Sequence, residues 1–140
     1  MLKRWPILVL LLAAGSAQAT EVVTYTGEEN YQRLCAACHG ASGKGDGPVS
    51  EVLTTPAPDL TRIAARRGGN FPREALKRQI DGRDQISAHG SQQMPVWGYE
   101  FWLEAGAGQF SERQVNETLD DLVDYLESIQ VPALRPRSGP

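Results

Sequence analysis

Apolar residues recur at helical spacing in three stretches of the chain, and nothing alternates for long enough to read as a strand. The last stretch is the clearest. Val115, Leu119, Leu122, Val123, Leu126 and Ile129 form one apolar stripe, and Ser111 with Gln114 gives its start the spacing of a capping box. A first helix is predicted from Thr26, a good N-cap with Glu28 and Glu29 in the turn behind it, through Tyr31 and Leu34 to Cys35 and Cys38. A second fits Pro72 to Ile80, with proline in the first turn, Leu76 and Ile80 four apart, and Gly82 as a stop.

The segments between them are rich in glycine and proline, notably Gly40 to Pro48, Thr55 to Pro58 and Gly90 to Gly98. This is much loop for a small apolar core, and it suggests that something other than side chains fills the centre. The expected fold is all-α, with long loops. Residues 1–19 read as an export signal: Lys3 and Arg4 precede an apolar run from Ile7 to Ala14, and Ala17-Gln18-Ala19 is a small-residue cleavage site. The run falls short of the roughly 18 to 20 residues of a spanning helix, so no stable membrane insertion is expected. One domain then occupies residues 20–130, followed by a Pro-rich tail over 131–140.

Without the leader, 12 basic residues remain of 14 against 17 acidic ones, a net charge of -5 that does not suggest a nucleic-acid binder. The charge is segregated along the chain. Arg62, Arg66, Arg67, Arg73, Lys77, Arg78 and Arg83 crowd the middle, while Glu112, Glu117, Asp120, Asp121, Asp124 and Glu127 crowd the end. A lopsided molecule is expected, although such runs are most often solvated faces.

The two cysteines stand in Cys35-Ala36-Ala37-Cys38-His39. At a helix end this spacing puts both thiols on one side, where each can add to a haem vinyl group, with His39 held beneath the ring to bind iron. Zinc would need four ligands, and the chain offers only one further histidine, His89. A thioredoxin-like pair would need a strand–helix–strand setting, and a structural disulfide leaves His39 unexplained.

The chain resembles a class I monohaem cytochrome c of the bacterial periplasm, from Gly27 to about Ile129. Gly27 and Tyr31 resemble the glycine and aromatic with which that family's first helix crosses its last, here near Tyr125. The run Cys38 to Pro48 is similar to the loop after the attachment motif, Ala57-Pro58-Asp59-Leu60-Thr61 to a segment beneath the haem, and Met94-Pro95-Val96-Trp97-Gly98 to the loop carrying the sixth ligand. The resemblance implies a fold of three to five helices around one covalent haem c. It also implies that the Pro48 carbonyl accepts the second ring N–H of His39. Trp97 either donates to a haem propionate or packs on the ring edge; for Arg62 and its neighbouring arginines exposure is the default, and pairing with a propionate is the alternative.

The residues themselves favour Met94 as the sixth ligand. Once the leader is removed it is the remaining methionine, and Pro95 holds it in an extended loop. His89 is the rival, in a polar stretch before a glycine. Iron held by His39 and Met94 has no open position, so the expected function is one-electron transfer between a periplasmic dehydrogenase and a terminal oxidase or reductase. The alternatives are an electron-relay subunit of a larger oxidoreductase, or a haem enzyme or gas-binding protein with a vacant sixth position.

Overall fold

The structure, a computed structural model, describes residues 24–83 and 94–132. Its helices are α1 (Gly27–Leu34), α2 (Ala36–His39), α3 (Arg73–Asp81), α4 (Trp97–Glu104) and α5 (Ser111–Ser128), with 3-10 turns at Ser50–Val52, Leu60–Arg62 and Ala65–Arg67. The described residues contain no strand, and the fold is the expected all-α type. No helix among them is long and apolar enough to cross a membrane. The expected leader, His89 and most of the Pro-rich tail lie outside the described residues.

Thr26 and Glu29 form a capping box at α1: the Thr26 hydroxyl accepts from the Glu29 N–H, and the Glu29 carboxylate accepts from the Thr26 N–H at 2.8 Å. The predicted first helix breaks at Cys35, so the attachment motif lies on the separate turn α2. α5 is the centre of the fold, and α1, α3 and α4 all pack on it. Its whole predicted stripe from Val115 to Leu126 is buried, together with Tyr31, Ile80 and Phe101 from the three surrounding helices. Each such side chain contributes about 1.5–3 kcal/mol on leaving water. Where α1 crosses α5, Gly27 lies on the Asp121 backbone and the Tyr31 and Tyr125 rings stand 5.1 Å apart.

Two local expectations are corrected. Ser111 does not cap α5: Phe110 holds the N-cap position, and the Ser111 hydroxyl donates to the Ala105 carbonyl at 3.0 Å while accepting from the Gly108 N–H at 2.9 Å. It therefore closes the loop between α4 and α5. Pro72 likewise stands just before α3 instead of in its first turn.

The charge asymmetry of the sequence is partly offset in space. Arg73 pairs with Asp124 and Glu127, Lys77 with Asp120 at 2.6 Å, and Arg83 with Glu112 at 2.8 Å. Antiparallel packing of α3 on α5 brings the basic middle of the chain onto its acidic end. Exposed pairs of this kind add little net stability, because solvent screens them and two long side chains must be held in one geometry.

Candidate functional site

Between α1, α3, α5 and the loop over residues 53–60 lies a cavity of about 830 Å³, in the size range of sites for small molecules and cofactors. Leu34, Leu60, Ile63, Leu76, Ile80 and Leu126 give it apolar walls. Cys35, Cys38, His39, Met94 and Trp97 all border it, so five of the residues singled out in the sequence meet around one space. Both cysteines are free and half-buried. Burial first, then the neighbouring Cys38, pushes the Cys35 thiol up to about 11, with Arg33 acting the other way.

Pro48, singled out with them, does not border the cavity. The ring Nδ1 of His39 lies 3.2 Å from the carbonyl oxygen of Pro58, not of Pro48. A proline carbonyl can only accept, so this nitrogen carries the proton and Nε2 keeps its lone pair for a metal. The reason is the course of the glycine-rich loop. Gly45 donates to the His39 carbonyl at 2.7 Å and Leu60 to the Gly43 carbonyl at 2.7 Å, which lays residues 57–60 beside the ring. Gly45 permits this approach, because its φ is +83° and a Cβ would meet the Ala57 carbonyl oxygen at 2.3 Å. Residues beside Pro48 are instead tied to the back of α2, where the Val49 N–H donates to the Ala37 carbonyl at 3.1 Å.

Asp59 stiffens the same support. Its carboxylate accepts from the Thr61 N–H at 2.9 Å and the Thr61 hydroxyl at 2.6 Å, while its backbone carbonyl accepts from Arg66 at 2.8 Å. Exposed Arg66 and Arg67, not Arg62, border the cavity. Behind the wall, the Tyr31 hydroxyl donates to the Gly40 carbonyl at 2.7 Å, tying α1 to the residue that follows His39. Burial chiefly, with Cys35, Tyr125 and Asp46 nearby, raises this phenol above its ordinary range.

The chemistry of this donor set separates two kinds of site. Among the described residues, no group of three or more His, Cys, Asp or Glu could hold a bare metal ion. Two thiols, an imidazole with one nitrogen free and a thioether around an apolar cavity suit an iron porphyrin, and the site is that of a haem-holding helical domain.

The chain belongs to the cytochrome c family: the family described as Cytochrome c matches residues 25–130. Membership implicates a haem c cofactor and an electron-transfer role. No curated protein and no solved structure gave a match. Pro58 is the site residue whose role the sequence does not show, although it lies in the segment Ala57 to Thr61, and Arg66 and Arg67 are the neighbours of Arg62 that border the cavity.

Proposed function

We propose that this protein is an exported, periplasmic one-electron carrier with a single haem c bound through Cys35 and Cys38 and ligated by His39 and Met94. The observation that carries this reading is the meeting of these four side chains, from two distant parts of the chain, around one apolar cavity. Bound there, the haem supplies a one-electron iron couple. The protein's own residues set its properties: Pro58 orients His39 and raises its basicity, and the thioether of Met94 favours the ferrous state. With both ligands in place no substrate reaches the metal, which leaves outer-sphere exchange with redox proteins, a dehydrogenase on one side and an oxidase or reductase on the other.

Acid-acetone treatment of the purified protein tests attachment, with haem expected to stay on the polypeptide and add its mass. Met94→Ala tests ligation. It is expected to abolish the weak long-wavelength band of methionine-bound ferric haem and to open the ferrous protein to carbon monoxide, while His89→Ala leaves both unchanged. The reverse pattern would establish a two-histidine carrier.

A further inference from the structure

The start of α4 has no cap of its own, since the side chain of Val96 at the N-cap position makes no hydrogen bond. The last residue of α3 stands there instead. A methyl group built on Gly98 would lie 1.9 Å from Oδ1 of Asp81 and 2.7 Å from Nε of Arg83, so the Asp81 carboxylate rests directly on the first turn of α4. A negative group is favoured at a helix N-terminus by the unpaired N–H groups and the helix dipole. Arg83 holds that carboxylate on both oxygens, Nε donating to Oδ1 at 2.6 Å and the terminal nitrogen to Oδ2 at 3.0 Å. Its other terminal nitrogen donates to Glu112 on α5 at 2.8 Å. One guanidinium thus joins the end of α3, the start of α4 and the start of α5.

This junction lies four residues after Met94 and next to Trp97, both of which border the cavity. From it we infer that Asp81, Arg83 and Gly98 form a clasp that positions Met94, an inference that rests on Met94 being an iron ligand. A thioether is a weak donor, so its hold on iron depends on how far its backbone can withdraw. A segment pinned at Gly98 and restricted at Pro95 returns the sulfur to the same place and keeps its effective concentration high. Asp81 and Arg83 do not border the cavity. They act through the backbone of α4.

The test uses the haem-loaded protein and imidazole as a competing ligand for the ferric form, read together with the long-wavelength methionine band. Asp81→Asn and Glu112→Gln keep the shape of the clasp and weaken its charge, while Gly98→Ala wedges it apart. Asp81→Asn and Gly98→Ala are expected to raise imidazole affinity roughly 10-fold, the scale on which outer residues affect metal sites. Glu112→Gln is expected to move it in the same direction by less. Lys77→Gln, which breaks a neighbouring contact between α3 and α5, should leave it unchanged. If Gly98→Ala does not fold, the two isosteric variants decide. Unchanged imidazole affinity in Asp81→Asn, with haem retained and the wild-type band present, overturns the clasp alone. Absence of the band from the wild type overturns the ligand reading itself.

Discussion

Gly27 and Asp121 touch through their backbones: a Cβ on Gly27 would stand 2.0 Å from the Asp121 carbonyl oxygen and 3.1 Å from the Leu122 nitrogen. Neither helix can yield there, since the obstacle is main chain inside α5. Two opposite effects then compete in Gly27→Ala. Helix propensity favours alanine by about 1 kcal/mol, whereas forcing a methyl group into a filled contact costs up to about 3 kcal/mol. The steric effect is expected to win, lowering the denaturant midpoint of the haem-loaded protein. An unchanged or higher midpoint would show that α1 and α5 do not cross at this residue.

Tyr31→Phe keeps the ring that packs on Tyr125 and removes only the hydroxyl that donates to Gly40. The Gly40 carbonyl keeps the Gly43 N–H as a donor at 3.0 Å, so the loss is that of one hydrogen bond, about 0.5–1.5 kcal/mol. Urea unfolding should register this loss while haem content is unchanged. Equal stability of the two proteins would mean that the bond adds nothing once haem is bound.

Two carboxylates give acid dependence of opposite sign. Hydrogen bonds from Thr26 hold Glu29 below its ordinary 4.5, so its contribution is present above that pH and is lost as pH falls through the lower folded value. Asp121 is raised, first by burial and then by Asp124, Asp120 and Glu117, so its ionisation weakens the fold as pH rises through its folded value. Glu29→Gln should therefore be less stable than wild type at neutral pH, with the difference shrinking as pH falls below the ordinary 4.5. Asp121→Asn should be more stable at neutral pH by roughly 0.3 kcal/mol, the scale of one like-charge helix pair, and lose its advantage in acid. Unfolding curves across this range check both signs.

The three predicted helices were legible because each keeps its apolar residues to one face, as in Val115, Leu119, Leu122 and Leu126. α4 escaped the same reading. Trp97, Tyr99, Phe101, Trp102 and Leu103 place large apolar groups all round it, so Tyr99 and Leu103 stay exposed while Phe101 is buried, and no stripe emerges. Local spacing placed Cys35, Cys38 and His39 together, since one turn of helix holds them. It could not choose between the Pro48 and Pro58 carbonyls, because the choice depends on hydrogen bonds from Gly45 and Leu60 that fold the loop back. The ion pairs that tie α3 and Arg83 to α5 were hidden for a similar reason, their partners being 29 to 54 positions apart.

Gln130, just past α5, uses its side chain as a three-way tie. Its carbonyl accepts from the Ala64 N–H at 2.9 Å, and its amide donates to the carbonyls of Leu60 at 2.8 Å and Leu126 at 2.7 Å, with the Val131 N–H adding a bond to Thr61 at 2.9 Å. Truncation or fusion therefore has a sharp permissible border. A cut after Val131 leaves every one of these bonds intact, whereas a cut before Gln130 removes the donors and acceptor that satisfy residues 60–64 beside the cavity. A domain joined at Pro132 would hang from a point moored to the wall of the cavity, so its tether would start at a fixed place relative to the site.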